Sequence, residues 1–298
     1  MNRDISARLE VIRTLVTENL AREMVPFPVN RKLCSSWTHD LPRGGETILY
    51  TSYMYQLAAV FKTYEKLIPR LTSFSNISRI ASLGKYLIRP SKEDLERSSL
   101  ILNNIVQMLK RHGLSFGYLY DEEPYSGALL LELGLLDEFR EYGQKLEQFF
   151  AARRIKKLIT VDPHTANALV RLKKMSILHT EVMSYLEFIK QVNGSGEYVL
   201  HDSCLYSRHL GKREAIRNVI ANSGIVLKED PLVTASETAL CCGGPLGPVD
   251  VELSDSVSAI RSRQLSRLGV PVLVACPLCY SNLSAHLTRV YDIMEVMR

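Results

Sequence analysis

The sequence predicts an α/β protein built on parallel sheets, and three observations predict it. Short apolar runs alternate with amphipathic helical segments, an order that calls for helical crossovers between parallel strands. Some of those runs, such as "PVLVA" at 271–275, are apolar on both faces, as strands covered on both sides must be. The same succession of segments also occurs twice, which implies two tandem Rossmann-like modules behind an N-terminal helical arm. The expected divisions are an arm at 1–44, a first module at 45–192 and a second at 193–298.

In the first module, "ETILYTSYMYQLAAV" reads as a strand running into a helix. "SKEDLERSSLILNNIVQMLKRHG" is an amphipathic helix with Ser91 as its cap and Gly113 past its end. "KKLITVDPHTANAL" is a second strand and helix, with Asp162 capping and Pro163 at the first helical position. "NGSG" at 193–196 is a linker of turn formers. Beyond it, "EYVLHDSC" is a strand ending at Cys204, followed by a helix in "GKREAIRNVIANSG" and a strand in "IVLKE". A loop reaches Cys241 and Cys242. "SDSVSAIRSRQLSRLG" then forms a helix whose expected apolar face is Val257, Ile260 and Leu268, stopped by Gly269. "VPVLVAC" is a strand entering Cys276, and "YSNLSAHLTRVYDIMEVM" is expected to close the chain as one helix.

With 298 residues and 46% hydrophobic composition, the chain can bury a sizeable core. No apolar run reaches the roughly 18 residues of a membrane span. The opening "MNRDISARLEVIRTLVTENLAREMVPFPVN" is amphipathic and of mixed charge, without the apolar centre of a signal peptide. The expectation is a cytoplasmic protein with no membrane span. Its net charge of +5 is small and dispersed, with Lys156–Lys157 and Lys173–Lys174 reading as solvated helix ends, which argues against a nucleic-acid partner.

The six cysteines carry the functional signal. Cys34 stands alone in the arm and reads as a small buried hydrophobe. Cys204, Cys241, Cys242, Cys276 and Cys279 form the pattern C-x36-CC-x33-C-x2-C. Adjacent cysteines rarely bridge each other, because the peptide between them would have to distort. Each position follows a strand or its loop and precedes a helix, so the fold gathers them at the carboxyl edge of a parallel sheet, where such folds build sites. Zinc takes four tetrahedral ligands, while an iron–sulfur cluster accommodates five thiolates with inorganic sulfide. Redox-active or merely buried thiols are the third reading. His201 and His209 flank Cys204 and could donate to a cluster sulfur, shuttle a proton or be structural. Gly243–Gly244 suits a close backbone approach or a turn.

Aligning the two modules sets Tyr53 against Cys204, Tyr125 and Ser126 against the cysteine pair, and Asp162 and Thr165 against Cys276 and Cys279. None of the five is a soft ligand, so no cluster is expected in the first module. Asp162 and His164 could form a hard, oxygen-rich replacement site there, though capping by Asp162 is the simpler reading.

The motifs "HDSC" at 201–204, "CCGGP" at 241–245 and "CPLCY" at 276–280 together resemble the cysteine-rich CCG domain family. That family includes the cysteine-rich component of heterodisulfide reductase, its counterparts in sulfur-oxidising heterodisulfide-reductase-like complexes, and iron–sulfur subunits of glycolate and lactate oxidases. The resemblance covers most of 45–298 and implies two CCG domains, the first degenerate. It implies that Cys204, Cys241, Cys242, Cys276 and Cys279 hold one non-cubane [4Fe-4S] cluster per chain and act through it, with His201 as a further candidate. It also implies an oxidoreductase acting on disulfide, thiol or persulfide sulfur within a complex. The partners would be iron–sulfur electron-transfer and flavin subunits, and a thiol or disulfide substrate or sulfur carrier protein. The alternatives are an electron-transfer subunit of a glycolate- or lactate-type oxidase, or a zinc-stabilised docking scaffold. No ferredoxin-type cysteine run and no flavin or nicotinamide fingerprint is visible, so electrons are expected to pass through another subunit.

Overall fold

The computed structural model describes residues 5–71, 90–189, 192–233 and 239–297. Helices α1 (Ile5–Glu23) and α2 (Arg31–Ser35) precede a sheet of β1 (Thr47–Tyr50), β2 (Lys157–Thr160) and β3 (Glu181–Ser184), paired in that order and all parallel. A second parallel sheet has the order β5 (Val226–Leu227), β4 (Glu197–Leu200), β6 (Val272–Val274), β7 (Val290–Asp292). The first sheet has a vestige of the extra edge strand. Gly117 bridges Ile48, with Leu49 N–H donating to the Gly117 carbonyl and Gly117 N–H to that of Thr47, both at 2.9 Å. The two halves therefore repeat one topology.

The crossovers repeat as well. β1 enters α3 (Met54–Leu71), and α4 (Lys92–Arg111) follows, capped by the Ser91 hydroxyl. Next come α5 (Ala128–Glu132), α6 (Leu136–Ala152) and, after β2, α7 (Pro163–Lys174). Asp162 caps α7 by accepting from His164 N and Thr165 N, as its position before Pro163 requires. In the second half a π-helical turn (Leu205–His209) follows Cys204, then α8 (Arg213–Ser223), α9 (Val251–Ser266), α10 (Pro277–Leu283) and α11 (Ile293–Val296). The described residues resume at Ala239, just ahead of the cysteine pair.

Side chains alternate across both sheets and so build two apolar layers. Ile48, Tyr50, Leu158, Val199, Val272 and Val274 enter one layer. Leu49, Ile159, Leu200 and Leu273 enter the other. Each layer thus draws on both sheets. Specific bonds cross between the halves too: Tyr55 OH donates to Asp292 Oδ2 at 3.0 Å, Asn104 Nδ2 to the Met294 carbonyl at 2.7 Å, and the Arg97 guanidinium lies 3.1 Å from the Tyr280 ring centre.

Two expectations are corrected. The C-terminal segment is not one helix: α10 ends at Leu283, and β7 and α11 follow. Val290 fills an edge position of the sheet, and Asp292 caps α11 with a capping box closed by Glu295. The buried face of α9 is also not Val257, Ile260 and Leu268. Ser254, Ser258, Arg261, Ser262 and Leu265 are buried, and Ile260 is exposed. The reason is what α9 packs against. Its inner face meets carbonyls of the sulfur loop and of the last turn of α10: Ser254 Oγ donates to the Gly243 carbonyl at 2.9 Å, and Ser258 Oγ to that of Asn282 at 2.9 Å. In the first half, α6 buries Phe139, Gly143, Leu146 and Phe150 at the same spacing as Ser254, Ser258, Arg261 and Leu265. One helix position thus carries apolar cargo in one half and polar cargo in the other. Among the described residues no helix is long and apolar enough to cross a membrane.

Candidate metal centre

Three loops at the carboxyl ends of β4, β5 and β6 bring the five predicted cysteines together. Their side chains form one continuous series of sulfur contacts, in the order Cys204, Cys241, Cys242, Cys279, Cys276. Cys242, Cys276 and Cys279 are buried, while Cys204 and Cys241 keep partial exposure at the rim. Cys34 is buried elsewhere, and burial pushes its thiol up to about 12. It is an inert small hydrophobe, as expected.

Backbone geometry explains the glycines. Gly243 has φ +85, and a Cβ there would stand 2.4 Å from the Ser254 carbonyl oxygen. At Gly244 a Cβ would meet Leu278 Cβ at 3.2 Å and the Cys242 sulfur at 3.4 Å. The bare backbone lets Gly243 N–H approach Cys241 Sγ at 3.3 Å, and Gly244 N–H approach Cys242 Sγ at 3.4 Å. Asn282 Nδ2 holds the Cys242 carbonyl at 2.9 Å. The loop is pinned from behind by α9 and α10, so its sulfurs point one way.

Proximity splits the thiols electrostatically. Hydrogen bonds from Cys204 and Cys242, with the Gly243 N–H, pull Cys241 far down. Those same bonds to Cys241 push Cys204 and Cys242 up, and bonds to Cys242 and Cys276 push Cys279 up. Burial opposes ionisation of Cys276, but hydrogen bonds from Cys279 and His164 and the His164 charge bring it down to about 5. Metal ligands are thiolates, and a site that already favours two of them is prepared for a soft cation. The donor set, five sulfurs with two backbone N–H groups aimed at them, fits an iron–sulfur cluster better than a four-coordinate zinc.

The flanking histidines divide. His201 is fully buried; its Nδ1 accepts the Arg261 Nε–H at 3.2 Å, and its Nε2 has no hydrogen-bond partner among the described residues. A ring nitrogen of His201 and the Cys242 and Cys279 sulfurs lie within 4.8 Å of one another. Burial, then the Arg261 charge, lowers this imidazole to about 3, so it is neutral. His209 is exposed at the end of the π-helical turn and is not brought to the sulfurs.

The first half supplies a residue that sequence reasoning did not assign here. His164 Nε2 lies 3.2 Å from Cys276 Sγ, and its Nδ1 lies 2.6 Å from Glu132 Oε1. Its ring is committed to this pair rather than to a hard site shared with Asp162. Despite burial, Glu132 and Cys276 hold His164 well above its usual range. A narrow cavity of about 20 Å³ borders this edge, with His164, Gly244 and Leu278 among its lining and the stacked rings of Phe27 and Tyr64 also facing it. The remaining first-half counterparts are not ligands. Tyr53 OH donates to the Tyr120 carbonyl, Tyr125 OH accepts from Leu129 N, and Ser126 N donates to Ser52 Oγ. Tyr53 and Tyr125 are buried and fill the space, while Ser126 Oγ and Thr165 Oγ1 are buried without a hydrogen-bond partner among the described residues. Arg261 also escaped sequence reasoning. Its signal was present: it shares a stripe with Ser254, Ser258, Ser262 and Leu265 at helical spacing.

Fold and site together define a class: a parallel α/β protein with a five-thiol centre, three of its thiols buried, at the carboxyl edge of one of its two sheets. No protein-family profile matches the chain. It is 23% identical over 301 residues to the protein named "Probable iron-sulfur-binding oxidoreductase FadF" of Bacillus subtilis (strain 168), covering 94% of this chain and 39% of that protein. It is 27% identical over 221 residues to the "EtfAB:quinone oxidoreductase" of Syntrophomonas wolfei subsp. wolfei, covering 65% of this chain and 31% of that protein. The chain therefore spans well under half the length of either relative.

Proposed function

We propose that this chain is an iron–sulfur oxidoreductase component in which Cys204, Cys241, Cys242, Cys276 and Cys279 hold one non-cubane [4Fe-4S] cluster. The observation that carries the reading is the single series of five sulfurs in contact, three of them buried. The names of both relatives, an iron–sulfur-binding oxidoreductase and an oxidoreductase joining EtfAB to quinone, support the redox class. When bound, the cluster would supply one-electron chemistry, and direct binding of a substrate sulfur at iron. The chain's own residues hold the five sulfurs, donate to two of them from Gly243 and Gly244, and shield three of them from water.

On this reading the chain works within a heterodisulfide-reductase-like or related electron-transfer complex. Cys204 and Cys241 at the rim give a partner subunit its approach. Sulfur handling is the second reading, supported by the same open rim and by the motif resemblance. A thiol, persulfide or disulfide would enter there singly, because the first half offers no second thiol site among its described residues.

The test is anaerobic reconstitution of the full chain with iron, sulfide and EPR analysis. The expected content is about four iron and four sulfide per chain, the content of one [4Fe-4S] cluster. Cys242→Ala should strip the iron, while Cys34→Ala should leave it in place. Stoichiometric zinc without sulfide would refute the cluster and favour a zinc-stabilised scaffold.

A further inference from the structure

Behind the thiols lies an arginine whose burial calls for explanation. Arg261 is 0% exposed and sits on the inner face of α9. Burying a guanidinium costs several kcal/mol unless its donors are satisfied. Its Nη1 donates to the Val233 carbonyl at 2.6 Å and to Gln264 Oε1 at 3.1 Å, while its Nε–H points at His201 Nδ1 at 3.2 Å. A guanidinium has only donors, so Nδ1 of His201 must be the acceptor. The imidazole proton is thereby confined to Nε2, the nitrogen without a partner among the described residues. An N–H donor left buried and unpaired costs about 1–3 kcal/mol. Among the described residues, the sulfurs of Cys242 and Cys279 lie within 4.8 Å of a nitrogen of this ring.

The other half of the molecule provides an internal control. The position matching His201 is Tyr50, the last residue of β1, whose hydroxyl is spent on the Pro124 carbonyl at 2.8 Å. The position matching Arg261 is Leu146, fully buried in an apolar layer. The half without thiols thus has neither member of the pair. Fold stability alone is met by Tyr50 and Leu146, so the costly pair accompanies the sulfurs.

We propose that Arg261 fixes His201 in the Nε2–H tautomer, that this N–H is left available to donate to the cluster carried by Cys242 and Cys279, and that the pair raises the reduction potential of that cluster. The inference rests on the cluster reading above. Reduction adds negative charge to the cluster and its thiolates. A hydrogen bond to the sulfurs and a nearby buried cation both stabilise that charge, and both are established levers on cluster potential. The electrostatic reach of Arg261 extends to Cys242 and Cys279 themselves. Arg261 and His201 are positioning residues here: neither is a ligand, and the thiols are held by other groups.

The experiment is an EPR-monitored redox titration of the reconstituted full chain, with iron and sulfide counted in every sample. His201→Leu removes the donor, and His201→Gln restores an amide N–H. Arg261→Gln removes the charge and Arg261→Lys returns it. Both His201→Leu and Arg261→Gln should keep their iron and lower the cluster's electron affinity at least tenfold, a shift of about 59 mV to more negative potential for one electron. The Gln and Lys variants at 201 and 261 should recover at least half of that. Because Arg261 acts partly through His201, the double variant should shift by less than the sum of the singles. If His201→Leu retains iron at the wild-type potential, the inference is overturned while the cluster reading stands. Wild-type protein without iron and sulfide overturns both. If Arg261→Gln does not fold, the two His201 variants decide the matter alone.

Discussion

Gly243→Ala isolates how tightly the sulfur loop is built. The substitution meets two costs of different origin. An L-residue at φ +85 pays about 1–2 kcal/mol for left-handed backbone. The new methyl would also stand 2.4 Å from the Ser254 carbonyl oxygen, where real contacts stay beyond 3.0 Å. That oxygen belongs to the first turn of α9 and cannot swing aside, so the loop must lift by more than half an ångström. Overpacking of this kind costs roughly 1–3 kcal/mol. It also moves the Gly243 N–H off Cys241 and breaks the Ser254 bond to the Gly243 carbonyl. Gly269→Ala is the control, with φ +69 and nothing within 4 Å of its new Cβ. The control should lose only the backbone part, about 1–2 kcal/mol, and keep full iron. Urea unfolding of the two variants, paired with iron and sulfide analysis after anaerobic reconstitution, reads both effects. Equal stability of the two variants, with full iron in Gly243→Ala, would show that the loop yields freely and that the pinning by α9 is of no consequence.

Two further predictions concern the frame around the site. Glu123 is fully buried, accepting from Thr51 N and Thr51 Oγ1, and burial lifts its carboxyl from 4.5 to about 8 despite those bonds. A raised acid stabilises the fold fully below its unfolded value and loses that contribution as pH rises through its folded one. Stability should therefore fall with pH by about 1.4 kcal/mol per unit between roughly pH 5 and 8 from this group. Glu123→Gln should remove that share of the slope, and urea midpoints that stay parallel to wild type across the range would contradict it. Arg97→Met should cost about 1–3 kcal/mol by removing the stack on Tyr280 and the bond to Glu295, both mostly buried. A change below about 0.5 kcal/mol in urea unfolding would place the contact between the halves elsewhere.

What was legible in the sequence was what one-dimensional spacing encodes. Strands such as Val272–Val274 and the Ser91 and Asp162 caps follow from local patterning and appear where expected. The convergence of the five cysteines follows from parallel topology, since each lies beyond a strand's carboxyl end. The inner face of α9 did not follow, because serine and arginine read as solvent-facing until the irregular loop they hydrogen-bond is known. The closing segment misled for a related reason. "RVYDIMEV" has helical periodicity, yet an open edge beside β6 recruits Val290–Asp292 as a strand. His164 was invisible as a partner of Cys276, because its contact is between the two halves and no spacing within either one encodes it.

The two apolar layers have a consequence for how this molecule can change over time. A repeat that sheds its metal ligands is ordinarily free to decay, since nothing further depends on it. Here Ile48 and Leu158 share one layer with Val199 and Val272, while Leu49 and Ile159 share the other with Leu200 and Leu273. Deleting the thiol-free half would strip one side from both layers and take His164 away from Cys276. Mutational drift in that half is therefore limited by the chemistry of its neighbour, and its sequence should stay constrained at buried apolar positions although it holds no thiols.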